Sequence, residues 1–222
     1  MTKNTKVNAA ILIIGNEILS GRTQDTNTST LATWLNSIGV KVNEVRVVPD
    51  IEKTIIDTLN ILRKENDYVF TTGGIGPTHD DITAESVSKV FGLKYEIHKE
   101  AFKILEAYYQ PGEFNEGRQK MVWMPEKAEL ILNPTSGAPG FRVENIFCLP
   151  GVPSILKSMI GGLKNKVVGG EPILSHTISL RTVESEIAKS LTKIQDQNKD
   201  VEIGSYPFFR AGKVGVSIVL RS

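Results

Sequence analysis

Thr78-His79-Asp80-Asp81 follows directly on a glycine-rich stretch, Gly73-Gly74-Ile75-Gly76-Pro77. The residue types point to phosphate chemistry. Glycine lets a backbone turn at positive φ and come close to a ligand. The N–H groups of such a turn, next to a helix N-terminus, gather an anion. Adjacent carboxylates would repel that anion unless a divalent cation sat between them. A phosphate cradle with metal-binding carboxylates is therefore the chemistry expected of residues 71–81. His79 could act as a general acid or bind phosphate. Each feature also has a plainer reading. Glycine turns follow strands in many α/β proteins, and one of the aspartates could be the N-cap or first-turn acid of the next helix. Asp50, at the end of another strand, could help hold a hard cation through oxygen or could cap its own helix. Glu17 and Asp25 could bind substrate hydroxyls or be solvated loop acids. Arg22, Arg118 and Arg142 are the candidates for phosphate neutralisation.

These residues need a frame. Val7 to Ile14 is a near-continuous apolar run ending at Gly15, as in a strand covered on both faces of a parallel sheet. The polar stretch 15–27 reads as a loop, and Asn27 as the N-cap of a helix over Thr28 to Ile38. Val40 to Val48 is a second strand. Ile51, Ile55, Leu59 and Leu62 mark a helix face, and Tyr68-Val69-Phe70 leads into the glycine stretch. Strand and helix alternating in this way predict right-handed crossovers and a mostly parallel sheet. Loops 15–27, 73–81 and 136–151 would then share the carboxyl-end rim, where such sheets bind ligands.

Helices are expected over Ile82 to Phe91 and Lys99 to Tyr109, and an exposed turn over 110–119. Leu130 to Leu132 and Phe141 to Leu149 read as a strand pair, followed by a helix over Ser154 to Leu163. Trp34 and Trp123 read as core. Lys164 to Glu171 is the linker candidate. Beyond it come a strand (Ile173 to Leu180), a helix and a hairpin with arms Val201 to Tyr206 and Val214 to Leu220, a small α+β domain. Gly212-Lys213-Val214-Gly215 has the G-x-x-G form that clamps nucleotides in KH domains. Here it opens an alternating strand and reads as a hairpin turn.

At 222 residues, with 40% hydrophobic and 23% charged residues, the composition is that of a soluble globular protein. A net charge of +1 gives no field favouring nucleic acid or an anionic membrane. No apolar run is long enough to span a bilayer, and the polar Met1 to Lys6 is not expected to act as a signal peptide. The single cysteine, Cys148, lies in an apolar run and reads as a buried structural residue. The expected location is cytoplasmic.

Ile14-Gly15-Asn16-Glu17-Ile18-Leu19-Ser20-Gly21, Asp25-Thr26-Asn27, the stretch from Thr71 to Thr83 and Leu149-Pro150-Gly151-Val152-Pro153 together resemble the MoaB/MogA-like molybdopterin-binding domain family. The likeness is closest to its branch in competence/damage-inducible protein CinA, a branch also found in some eukaryotic FAD synthases. It implies a three-layer α/β domain over residues 1–168 and a small α+β KH-like domain over 169–222. It also implies a cytoplasmic homo-oligomer that takes a nucleotide or pterin ligand, with no nucleic-acid or membrane partner. A divalent ion (magnesium, cobalt or nickel, with potassium as an optional companion) would serve, and no tightly bound organic cofactor. By motif position Asp50 and Asp81 would hold the metal, and Asp81, Asp80 and His79 would be catalytic. Gly15, Glu17, Gly21, Asp25, Asn27, Thr72, Gly73, Gly74, Gly76, Thr78, Ser136, Gly137, Pro150 and Gly151 would line the ligand. Two activities come with the resemblance: metal-dependent hydrolysis of an ADP-ribose-like or FAD-like pyrophosphate, and adenylylation of molybdopterin. Binding without chemistry is the alternative. The chain carries Thr78-His79-Asp80 where MogA-type loops carry Ser-Pro-Arg, which weakens the adenylylation reading. CinA proteins commonly continue into a nicotinamide-nucleotide deamidase domain, which is not expected in this sequence.

Overall fold

The computed structural model describes residues 7–172, 174–210 and 212–222. The readings placed on Met1 to Lys6 and on Ile173 lie outside the described residues. Two compact units divide between Gly170 and Glu171.

In the first unit the apolar run Val7–Ile14 forms strand β1 at the interior of the sheet. Short helix α1 (Asn16–Leu19), α2 (Asn27–Ser37), β2 (Val40–Val48), α3 (Glu52–Glu65), β3 (Tyr68–Thr72) and α4 (Thr83–Phe91) follow. Next come β4 (Tyr95–Ile97), α5 (Lys99–Tyr108), α6 (Glu116–Gln119), a 3-10 turn (Lys120–Val122) and β5 (Trp123–Pro125). The unit closes with β6 (Glu129–Ile131), β7 (Gly140–Val143), β8 (Ile146–Leu149) and α7 (Pro153–Leu163). Six strands order as β2-β1-β3-β8-β7-β6, while β4 and β5 pair separately. Pairs β1/β2, β1/β3 and β3/β8 are parallel; β7/β8 and β6/β7 are antiparallel.

Alternation along β1 builds both cores. Ala10, Leu12 and Ile14 pack with Ile55, Leu59 and Leu62 of α3 and Val87 of α4. Ala9, Ile11 and Ile13 pack with Leu31 and Leu35 of α2 and Leu156 and Met159 of α7. Side chains on successive strand positions point to opposite faces, so one apolar run serves both layers. Fully burying each such leucine, isoleucine, valine or methionine side chain is worth about 1.5–3 kcal/mol.

Several local expectations change. The stretch Phe141 to Leu149 is not one strand but the hairpin β7/β8, turned at Glu144 with φ 49°. Asn145 anchors the turn by donating to the carbonyls of Arg63 and Asn66. The loop 15–27 contains α1, and 110–119 contains α6. Asn27 is the first residue of α2 rather than its cap: the Asp25 carboxylate accepts from the N–H groups of Asn27 and Thr28. Neither Asp80 nor Asp81 caps α4, which starts at Thr83 after Ile82. Asp50 does not cap α3, whose preceding residue is Ile51. Trp123 is 38% exposed rather than core.

The second unit comprises β9 (Ser175–Leu180), α8 (Glu184–Gln197), β10 (Glu202–Arg210) and β11 (Lys213–Arg221) in a three-stranded antiparallel sheet, order β10-β11-β9. The hairpin arms reach further than the sequence suggested, with Arg210 opposite Lys213. Pro207 is tolerated because β10 is an edge strand. Gly212, at φ 75°, belongs to the hairpin turn. Among the described residues no helix is long and apolar enough to cross a membrane.

Candidate functional site

The parallel register brings strand ends to one edge: Ile14 lies opposite Val48, Ile13 opposite Thr72 and Thr72 opposite Leu149. The loops leaving that edge are stitched together. The Gly15 N–H donates to the Val48 carbonyl at 3.1 Å, and the Gly73 N–H to the Leu149 carbonyl at 3.1 Å. Asn27 Nδ2 donates to the Gly151 carbonyl at 2.8 Å. At Gly73, φ is 99° and a Cβ would fall 2.2 Å from the Ile14 carbonyl oxygen, so only glycine fits. Loops 15–27 and 73–81 therefore meet at the rim with 136–139 and 150–151, the residues that flank the β7/β8 hairpin, while the hairpin's own turn lies at the other end of the strands.

The glycine turn is held from behind. The Thr83 hydroxyl donates to the Gly73 carbonyl at 3.0 Å and its N–H to the Gly74 carbonyl at 2.9 Å. With these carbonyls tied to the start of α4, the N–H groups of Gly74, Ile75 and Gly76 make no hydrogen bond among the described residues. Consecutive unbonded N–H donors on a glycine turn are the groups from which an anion-binding concavity is built.

Asp81 folds back beneath this turn. Its Oδ2 accepts from the Thr78 N–H at 2.7 Å and the Thr78 hydroxyl at 2.5 Å. A Cβ on Gly76 would fall 2.7 Å from the same oxygen, so the absent side chain is what lets the carboxylate tuck in. Asp80 is solvent-exposed. The Thr78 hydroxyl, then the backbone N–H, and more weakly His79 and Lys120, hold its carboxyl below the usual range. His79 is 97% exposed at the side chain, with Nδ1 4.0 Å from Asp80 Oδ1. Lys120 Nζ donates to the Thr78 carbonyl. A small pocket beside the turn is lined by Gly74, Gly76, Asp81, Tyr95, Lys120 and Trp123.

The remaining candidates divide. Asp50 reaches the rim, its Oδ2 accepting from the Asn16 N–H at 2.9 Å. Glu17 curls over Gly15, where a Cβ would meet its Oε1 at 2.6 Å. Asn27 is 4% exposed and its Oδ1 has no hydrogen-bond partner among the described residues. Thr72 is buried at the end of β3. Gly21 turns at φ 72° in open space. Ser136 is held by Asn133, which donates to its Oγ at 2.7 Å and accepts from its N–H at 3.1 Å. Gly137 gives way to the Tyr108 ring, 2.7 Å from where a Cβ would be. Gly151 lies against Gly73, and Pro150 precedes it after β8.

Two of the arginines are used elsewhere: Arg118 bonds the Glu113 carbonyl and lies over Tyr109, and Arg142 bonds the Glu144 carbonyl and lies over Phe147. Arg22 is exposed on its loop. Sequence reasoning missed Lys120, Tyr95 and Trp123. The one available signal was a lysine opening the otherwise apolar run 120–124.

For a metal, the donor set decides what fits. Among the described residues no cluster of three or more His, Cys, Asp or Glu could cage an ion. Asp81 and Asp50 each have one oxygen occupied by protein hydrogen bonds and a second oxygen without one. Magnesium is commonly held by one or two carboxylates together with substrate phosphates. A preformed cage does not fit these residues, whereas each of the two carboxylates singly keeps an oxygen that such a cation could take.

Residues 10–176 match the model of a family described as "probable molybdopterin binding domain", and residues 172–222 match that of the "FAD synthase, middle domain". A protein of Archaeoglobus fulgidus is 35% identical over 197 residues, covering 89% of this chain and 84% of its own length. The crystal structure of CinA from Thermoplasma acidophilum, described as of unknown function, aligns with TM-score 0.67 and 31% identity over 72% of this chain and 98% of that one. MoaB from Thermus thermophilus aligns with TM-score 0.50 over 72% of this chain and 91% of its own, at 18% identity, which is a likeness of fold.

Proposed function

This chain belongs to the molybdopterin-binding-domain family of MoaB/MogA type, with CinA among its relatives, and from that membership we propose that it is a divalent-metal-dependent hydrolase of nucleotide phosphoanhydrides such as ADP-ribose or FAD. The observation that carries this reading is the unbonded N–H series at Gly74, Ile75 and Gly76 directly above the Asp81 carboxylate. An anion receptor with a carboxylate beneath it suits a phosphate that arrives with a cation, and suits a simple anion poorly. The match of residues 172–222 to a domain of FAD synthase supports a dinucleotide substrate.

In this reading the turn N–H groups bind a non-bridging phosphate oxygen, and Thr78 and His79 orient the anhydride. Asp81 and Asp50 would hold the cation, which when bound neutralises the phosphate oxygens and lowers the pKa of a coordinated water. Asp80, kept ionised, accepts a hydrogen bond from the attacking water and aligns it with phosphorus. The P–O bond to the bridging oxygen breaks, water adds to phosphorus, and ADP-ribose yields AMP and ribose 5-phosphate.

The test is chromatography of ADP-ribose and FAD after incubation with magnesium, cobalt or nickel. Asp81→Ala is expected to lower turnover by two or more orders of magnitude, since positioned electrostatic groups each contribute roughly 10²–10³-fold. Wild-type turnover no greater than that of Asp81→Ala with all of these metals would overturn the hydrolase reading. The family's name favours a second reading, a site that binds a pterin or nucleotide without chemistry; saturable binding with unchanged ligand is its signature.

A further inference from the structure

We propose that Lys120 is a catalytic residue of this site: its ammonium group leaves the Thr78 carbonyl for the phosphoanhydride and neutralises the charge gathering there during cleavage. The inference rests on the hydrolase reading and adds to it a cation supplied by the chain itself. The turn brings two carboxylates, Asp80 and Asp81, to a substrate that is already anionic. Arg118 and Arg142 are committed to carbonyls and rings elsewhere.

Lys120 is half-buried, opens the 3-10 turn after α6, and lines the same pocket as Gly74, Gly76 and Asp81. Its Nζ donates to a neutral carbonyl, and among the described residues no salt bridge joins it; the Asp80 carboxylate feels its charge only at longer range. Exchanging a carbonyl for a phosphate oxygen replaces a neutral acceptor by a charged one and adds the attraction between opposite charges to a bond whose donor is already ionised. The flexible four-carbon stem of lysine lets the ammonium move while the turn stays still. The bond it leaves behind is to the carbonyl of Thr78, the residue that also holds Asp81.

Lys120→Met and Lys120→Arg are compared with wild type in ADP-ribose hydrolysis, and in metal-free calorimetric binding of ADP and of adenosine. Lys120→Met is expected to lower kcat about 100-fold with a smaller change in KM, while Lys120→Arg keeps most of the rate. ADP affinity falls in Lys120→Met and adenosine affinity does not, because only ADP carries the phosphates. Thermal midpoints confirm that both variants are folded. Parallel loss of ADP and adenosine binding would mark Lys120 as a tether of the turn and overturn the proposal. So would a Lys120→Met enzyme as fast as wild type. If wild type itself shows no turnover, the hydrolase reading fails separately, and an ADP affinity equal in Lys120→Met and wild type then rejects Lys120.

Discussion

Thr78 gives both its backbone N–H and its hydroxyl to one oxygen of Asp81, and this distinguishes the two adjacent aspartates. Asp81 is pinned under the turn; Asp80 faces solvent beside the same Thr78 hydroxyl, whose proton goes to Asp81, and that hydroxyl's dipole, then Asp80's own N–H, hold its carboxyl below the usual range. A depressed carboxylate pKa contributes stability that is present above the unfolded value, here 3.8, and lost as pH falls through the lower folded value. Asp80→Asn is therefore expected to lower Tm slightly near neutrality, by an amount that solvent screening keeps small, and to converge with wild type as pH falls below about 4. Cys148 behaves oppositely. Complete burial pushes its thiol up to about 12, against a weaker lowering by the Thr71 hydroxyl. The thiolate is the reactive form, so Ellman's reagent should label Cys148 only after the protein is unfolded. That cysteine's burial was legible from the apolar run around it. Which aspartate is pinned was not, because it depends on how the turn folds back.

Among the elements, the glycine turn is constrained by its neighbours. Gly73→Ala would place a methyl group against the Ile14 carbonyl at a φ that L-residues seldom adopt. A residue held in such a region costs about 1–3 kcal/mol before the clash is counted. Urea denaturation should therefore show Gly73→Ala destabilised by at least about 2 kcal/mol. Helix α5 offers a second case. His98 Nδ1 accepts from the Ala101 N–H at 3.2 Å, capping the helix, and Nε2 lies 3.2 Å from the Ala128 carbonyl. His98→Ala should cost about 1 kcal/mol, the usual value of a lost N-cap, and His98→Asn should restore most of it. Helix and strand positions were readable from apolar spacing, because burial follows a period. The β7/β8 hairpin was not, since Glu144-Asn145 sits within an apolar run and turns through one left-handed residue.

On the scale of the molecule, the proposed site lies wholly within the unit ending at Gly170. Residues 1–170 alone should then bind ADP with an affinity close to that of the full chain, as calorimetry can check. Loss of binding on truncation would mean that residues 171–222 contribute to the ligand. The second unit has a small core, in which Val216 and Ile218 are its buried apolar side chains among the described residues. A homo-oligomer is proposed on the family likeness, and sedimentation would decide it.

The amino-acid sequence by itself determined the layered α/β architecture, the placing of glycine-rich loops after strands, and the residue types of an anion site. Local propensity and hydrophobic period are properties of neighbouring residues, and they survive without knowledge of the fold. The tertiary structure alone decided which groups point where. It put Asp81 under Gly76, committed Arg118 and Arg142 elsewhere, and brought Lys120, 42 residues away in the chain, to the Thr78 carbonyl. Such contacts depend on how distant segments close in space, and residue spacing along the chain does not encode that distance.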